Sequence, residues 1–220
     1  MNSPRLTGGS VSKTSVIAIT GPSASGKSLF ASTVYQELVA ELGGEHIAIL
    51  AEDAYYRDQN HLSLEQRVLT NYDHPAAFEH ELLARHLQML RQGQRIAMPQ
   101  YNFKTHTRHT ETISVHPASV ILVEGILLLT VAKLRHEFDI SVYMDTPLDI
   151  CLLRRIKRDT VERGRTPDAV MAQYETTVRP AYFEFIAPSR QHADLVVTGG
   201  GRNQIAIDIL KTKIRQLTAK

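Results

Sequence analysis

The sequence predicts an α/β fold, a mainly parallel five-stranded sheet flanked by helices and interrupted once by an inserted β-hairpin. Three observations lead there. Five short runs rich in Val, Ile and Leu recur along the chain, each too short for a buried helix and without the polar alternation of a half-exposed strand. Longer stretches of helical periodicity separate them, the rhythm that parallel crossovers require. A glycine- and serine-rich loop joins the first run to the first helical stretch.

Strands are expected at Ser15–Thr20, His46–Ala51, Ser119–Gly125, Ile140–Asp145 and Ala193–Gly199, and helices near Gly26–Leu42, Glu79–Gln92, Pro147–Arg163, Pro167–Ile186 and Asn203–Leu217. Pro147 and Pro167 stand where a first helical turn tolerates proline, and Gly43-Gly44 supplies a stop after the first helix. Arg95–His116 breaks the rhythm. Ile96/Met98 and Ile113/Val115 alternate around a polar and aromatic tip, which reads as an antiparallel hairpin inserted at about residues 95–116. The body has no repeat, low-complexity tract or Pro/Gly-rich linker, so residues 15–220 read as a single domain. Residues 1–14, polar and rich in glycine and serine with no apolar signal stretch, read as a flexible tail.

With 43% hydrophobic and 22% charged residues over 220 positions, collagen-like, mucin-like and disordered chains are ruled out. A net charge of +2 supplies no global field for nucleic acid or an anionic membrane, so any anion must be gripped locally. The longest apolar run, Ala118–Val131, carries Glu124 in its middle and falls short of the roughly 18 residues of a membrane helix. The single Cys151 cannot form an internal disulfide, which favours the cytoplasm, and among Ile150, Leu152 and Leu153 it reads as a small buried hydrophobe. The histidines show no zinc spacing, since His106 and His109 fall on the hairpin tip and His74, His80 and His86 share no helix face.

Gly21-Pro22-Ser23-Ala24-Ser25-Gly26-Lys27-Ser28 matches G-x-x-x-x-G-K-[ST], between a strand and a helix as the mechanism of that loop demands. Its glycines let successive N–H groups converge on phosphate oxygens at a helix N-terminus. Lys27 adds a mobile charge for the β- and γ-phosphates, and Ser28 offers a hydroxyl to Mg²⁺. Glu124 closes a strand on the ligand-binding edge of such sheets and reads as metal support, or as a helix-capping acid. Asp53, in AEDAYYRD, is the expected proton acceptor for an attacking hydroxyl. Glu52 and Asp58 compete for that role, and a loop acid paired with Arg57 is the plainer alternative. Arg154, Arg155, Arg158, Arg163 and Arg165 crowd one segment. Arg158, Arg163 and Arg165 flank the Gly164 break and read as a lid, at about residues 154–166, that sets guanidinium groups against a transferring phosphoryl; Arg154 fits a solvated helix face equally well. Tyr101, Phe103 and His106 read as a recognition surface on the hairpin, or as loop residues that pack on it.

A hydrolysing switch protein would read guanine through an N-K-x-D motif, which the chain lacks, and a phosphosugar acceptor would want basic residues where Tyr72, Tyr101, Phe103 and His106 offer flat neutral surface. On these residues the chain resembles the uridine kinase, or uridine–cytidine kinase, family within the phosphoribulokinase/uridine kinase superfamily of P-loop kinases. The likeness runs from about Val16 to Leu217 through GPSASGKS, AEDAYYRDQ, NYDHPAAF, PQYNFKTHTR, VEGILLL, DTPLDICLLRRIKRD, ERGRTPDAVMAQYETTVRP and NQIAIDIL.

The resemblance implies transfer of phosphoryl from ATP or GTP to the 5′-hydroxyl of uridine and cytidine, giving UMP or CMP in pyrimidine salvage, by a homotetramer that end-product triphosphates inhibit. It places the donor phosphates on Gly21–Ser28, Mg²⁺ on Ser28 and Glu124, the general base at Asp53 and a ribose-gripping acid at Asp73. It puts Tyr56, Tyr72, Tyr101 and His106 in the nucleoside pocket, and Arg155, Arg158, Arg163, Arg165 and Gln173 around substrate and phosphates. One departure stands out: Thr198-Gly199-Gly200 replaces the common Pro-Arg-Gly, with Arg202 the nearest basic substitute for the missing arginine.

Overall fold

A computed structural model describes residues 14–218 of the chain. Residues 1–13, nearly all of the expected tail, lie outside the described residues. Thr14 is already buried, its hydroxyl donating to the Ala118 carbonyl at 3.0 Å.

From β1 (Ser15–Thr20) the chain passes through the glycine loop into α1 (Lys27–Leu42) and β2 (Ile47–Ala51), then through a 3₁₀ turn, Glu52–Tyr55, to α2 (Leu64–Val68) and α3 (His80–Arg91). The insert follows as β3 (Ile96–Met98), β4 (Tyr101–Asn102), β5 (Thr107–Arg108) and β6 (Ile113–Val115). The chain then returns to the sheet with β7 (Val120–Gly125), α4 (Ala132–Arg135), β8 (Ile140–Met144) and α5 (Leu148–Val161). A helical run follows from α6 (Pro167–Gln173) through α7 (Arg179–Ala181) to α8 (Ala187–Ser189), before β9 (Leu195–Val197) and α9 (Gln204–Thr218).

The main sheet has the order β2-β7-β1-β8-β9 with every pairing parallel, as expected. Its strands lack polar alternation because both faces are covered. Successive residues point to opposite sides, so Ile17, Ile19, Val120 and Leu122 pack with Phe30 and Val34 of α1 and Leu210 of α9. Val16, Ala18, Ile121 and Val123 pack with Leu83, Leu87 and Leu90 of α3. Each such aliphatic side chain withdrawn from water contributes about 1.5–3 kcal/mol.

The insert pairs as expected, Ile96 opposite Val115 and Met98 opposite Ile113, but in two short ladders rather than one. Pro99, with no N–H to give, falls in the gap between them. Two further departures have local causes. Ser63 and Gln66 form a reciprocal capping box that starts α2 in a stretch for which no element was expected. The helix expected over Pro167–Ile186 runs on to Ser189 and widens into π-turns at Tyr174–Val178 and Tyr182–Ile186, next to Pro180 and Pro188, which cannot donate to the carbonyl four residues back.

Candidate active site

The glycine loop is shaped by close backbone approach. At Gly21, with φ +142°, a Cβ would stand 2.7 Å from the Met144 carbonyl oxygen; at Gly26, with φ +97°, it would stand 2.7 Å from the Gly201 nitrogen. Only glycine fits either place. The loop delivers the chain into the N-terminus of α1, where unpaired N–H groups and the helix dipole favour an anion. Lys27 is buried at the same point, and the Ser28 hydroxyl donates to Glu124 Oε2 on β7 at 3.0 Å. From the other side, the Thr146 hydroxyl and Arg154 Nη1 donate to the Ser25 carbonyl at 2.8 and 3.3 Å, and Arg155 Nη1 donates to Ser23 Oγ at 3.0 Å.

Asp53 lies in the 3₁₀ turn after β2. Burial, with Glu124 and Glu52 adding repulsion, pushes its carboxyl up to about 6, although Lys27 and Arg163 pull the other way. The competing acids are occupied elsewhere. Glu52 is fully buried, its Oε1 2.8 Å from His80 Nε2 and its Oε2 accepting from the Leu127 N–H at 3.0 Å, and it fills the space that a side chain at Gly125 would need. Asp58 is exposed and accepts from the Arg108 N–H at 3.2 Å, steadying the insert. Arg57 turns to the Ala76 carbonyl and to Glu81. Asp73 is buried and its carboxyl is raised by that burial, opposed by the charges of Arg155, Lys27 and Arg158.

The arginine segment converges on a residue that the sequence reading passed over. Asp159 on α5 is fully buried; Arg158 Nε lies 2.8 Å and Arg163 Nη1 3.5 Å from its Oδ1, while Arg155 Nε and Arg165 Nη1 each lie 3.7 Å from its Oδ2. The signal was present: Arg155, Asp159 and Arg163 stand four apart within the helix expected over Pro147–Arg163, on one face of it. Gln173 Oε1 accepts from both Arg155 and Arg165, and the Arg163 guanidinium sits 4.9 Å over the Phe103 ring at the hairpin tip. Arg154 points away from this group toward the loop after β9, where its Nη2 comes within 3.3 Å of the place a Gly200 Cβ would take. Arg202 is exposed in that loop.

Beside the arginine segment, four rings backed by Phe78 form one wall. Tyr56 stacks on Phe78 at 4.1 Å and tilts against Tyr101 at 4.9 Å, while Tyr72 stacks on His106 at 4.8 Å. The Tyr56 hydroxyl donates to the Tyr72 carbonyl at 3.1 Å. The Tyr101 hydroxyl is buried without a well-formed hydrogen bond. His106 holds a left-handed φ of +54° at a tip where Asn102 Oδ1 accepts from the N–H groups of Lys104 and Thr105. Burial and then Arg165, Arg163 and Arg67 lower the His106 pKa, so its imidazole is neutral at pH 7.

The family model described as phosphoribulokinase / uridine kinase matches residues 16–206. Uridine kinases of Escherichia coli (strain K12) and Klebsiella pneumoniae (strain 342) are 60% identical over 201 residues, covering 91% of this chain and 94% of theirs. Among solved structures, phosphoribulokinase from Rhodobacter spheroides matches with a TM-score of 0.66 at 17% identity, covering 85% of this chain and 70% of that one. D-glycerate 3-kinase from Cryptococcus neoformans matches with a TM-score of 0.62 at 17% identity, covering 84% and 86%. These two likenesses concern the fold alone. With a family model spanning the body of the sheet and relatives at 60% identity over nearly their whole length, the chain belongs to the phosphoribulokinase/uridine kinase family.

Proposed function

We propose that this protein is a cytoplasmic uridine/cytidine kinase that transfers the γ-phosphoryl group of ATP or GTP to the nucleoside 5′-hydroxyl, giving UMP or CMP in pyrimidine salvage. The reading includes Mg²⁺ and a homotetrameric assembly; nucleic acid and membrane are not among its partners. The observation that carries it is the neutral aromatic wall of Tyr56, Tyr72, Tyr101 and His106, set across from a phosphate-binding loop with Asp53 beside Lys27. Of the cations nearest the rings, Arg67 donates to the backbone carbonyls of Gln59, Leu62, Thr105 and Asn60, Arg108 to the Tyr56 carbonyl and Glu79, and Arg163 and Arg165 gather on Asp159. An uncharged base therefore suits this pocket better than a second phosphate.

In this reading the α1 N-terminus, Lys27 and the glycine loop hold the donor phosphates. Asp53 accepts the 5′-hydroxyl proton as oxygen attacks, since a hydroxyl is a poor nucleophile at pH 7. Asp73 grips the ribose hydroxyls, and Arg155, Arg158, Arg163 and Arg165 gather charge on the transferring phosphoryl, the largest demand in this chemistry. Ser28 and Glu124, two hard oxygen ligands within hydrogen-bond distance of each other, fit Mg²⁺ at the mouth of the loop. When bound, the ion neutralises phosphate charge.

Incubating the protein and Mg-ATP with a panel of nucleosides, sugars and phosphosugars, with products identified by mass, tests the reading. Phosphorylation of uridine and cytidine is expected. Exclusive phosphorylation of a phosphosugar, or donor hydrolysis unaffected by any nucleoside, would overturn it.

A further inference from the structure

Asp159 touches neither the phosphate loop nor the aromatic wall, yet four guanidinium groups lie within 3.7 Å of its carboxylate. They arrive from both sides of the Gly164 break: Arg155 and Arg158 from α5, Arg163 and Arg165 from the segment that leads to α6. The Asp159 carbonyl also accepts from the Arg165 N–H at 3.1 Å, so the break is closed on Asp159 by backbone as well as side chain. Asp159 is outnumbered four to one, and even with Asp53 acting on Arg163 and Asp73 on Arg155 and Arg158 the group keeps a net positive charge. Four such groups at this spacing repel one another, and side chains this flexible would splay into solvent without a counter-charge.

Three of these groups also reach other parts of the site. Arg155 holds Ser23 of the phosphate loop, Arg163 covers Phe103 of the hairpin, and Arg155 and Arg165 share Gln173. The distances to Asp159 are uneven: Arg158 makes a full hydrogen bond, the others lie at 3.5–3.7 Å, and Asp159 Oδ2 and Arg155 Nε make no hydrogen bond at all. The carboxylate therefore gathers the arginines electrostatically while leaving most of their donor positions unspent.

We propose that Asp159 is a positioning residue, a buried counter-ion that assembles the lid arginines before the donor arrives and keeps their donors open for phosphate oxygens. This rests on the donor-site reading above. It carries an unusual signature, because the carboxylate opposes anion binding while aiding transfer. Neutralising it should tighten the grip on a polyanion as it disorders the groups that must be aligned in the transition state.

The experiment compares the parent chain with Asp159→Asn and Asp159→Glu, measuring kcat with uridine and ATP, the inhibition constant of Mg-free tripolyphosphate, and the rise in Tm that tripolyphosphate produces. For Asp159→Asn, kcat is expected to fall about 10- to 100-fold, the scale on which misplaced groups act. Tripolyphosphate should inhibit at least as strongly as in the parent, and it should raise Tm by more, because the anion replaces the missing counter-charge. Asp159→Glu should recover part of kcat. The proposal fails if kcat stays within twofold of the parent, or if kcat and tripolyphosphate affinity fall together with a smaller rise in Tm, as a merely structural residue would show. Failure of the parent itself to bind tripolyphosphate would sink the donor-site reading instead.

Discussion

The Ser28 hydroxyl donates to Glu124 Oε2 at 3.0 Å, joining the first turn of α1 to the penultimate residue of β7. Because β7 and β1 run in register, Glu124 opposite Ile19, the carboxylate is held at the C-terminal edge of the sheet next to the strand that feeds the phosphate loop. Glu124→Gln keeps the size and a hydrogen-bonding oxygen but removes the charge. It is expected to raise the Mg²⁺ concentration needed for half-maximal turnover roughly tenfold with little change in Tm. A Mg²⁺ titration of initial rates checks this, and an unchanged midpoint would return Glu124 to a capping role.

Asp53 gives an expectation with opposite signs for activity and stability. Burial raises its folded carboxyl to about 6 from an ordinary 3.8, so between those pH values the folded state binds more protons than the unfolded one. Stability from this group is then greatest at low pH and is lost as pH rises through that window, leaving the ionised form costly by an amount on the order of 3 kcal/mol at pH 7. Asp53→Asn should raise Tm at pH 7 and leave Tm near pH 4 almost unchanged. It should also lower kcat by about 10² to 10⁴, and the fall of kcat/KM in the parent below pH 6 should vanish. Loss of donor affinity with normal kcat would move Asp53 to the metal instead.

Much of this was legible because the signals were local. The apolar runs named all five sheet strands, since covering both faces leaves no alternation to misread, and the phosphate loop announced itself through glycines whose backbones must pass close to Met144 and Gly201. What escaped depended on contacts across the chain. That Glu52 is tied up rather than free was decided by His80 and Leu127, 28 and 75 residues away. Asp159 was hidden by its own neighbours, for a lone acid among arginines reads as charge balance until burial shows it at their centre. The π-turns escaped because periodicity shows a helix over Pro167–Ile186 but not how its hydrogen bonds shift around Pro180 and Pro188.

Arg154 stands on the far side of the phosphate loop from the acceptor wall. The acceptor elements follow β2 and α3, to one side of β1, whereas Arg154 follows β8 and faces the loop after β9, on the other. With its Nη1 on the Ser25 carbonyl it is placed to support the donor, in the region where Gly199-Gly200 leaves no side chain of its own. Arg154→Ala is expected to raise KM for ATP several-fold, in line with loss of one charged hydrogen bond, while KM for uridine and Tm hold steady. Steady-state kinetics with each substrate varied separately tests this. An unchanged donor KM would restore Arg154 to a solvated helix face.

The Tyr101 hydroxyl is buried without a good partner while its ring packs on Tyr56 and Phe103, a state that costs stability in the free protein. Beside it His106, neutral at pH 7 and stacked on Tyr72, presents one donor and one acceptor nitrogen. Together they can meet either the exocyclic oxygen of uracil or the amino group of cytosine, which would let one pocket take both pyrimidines. A purine would need depth that Tyr72 and Tyr101 fill, and would leave these polar groups unpaired. Uridine and cytidine are therefore expected as good acceptors, with adenosine and guanosine poor. Tyr101→Phe should leave Tm unchanged or slightly higher, because the orphaned hydroxyl is gone, yet raise KM for both pyrimidines about tenfold by removing a hydrogen bond made only when the base is bound. His106→Ala should shift the ratio of uridine to cytidine turnover without altering KM for ATP. If the double variant ranks the four nucleosides as the parent does, the hairpin is scaffold and the base is read elsewhere.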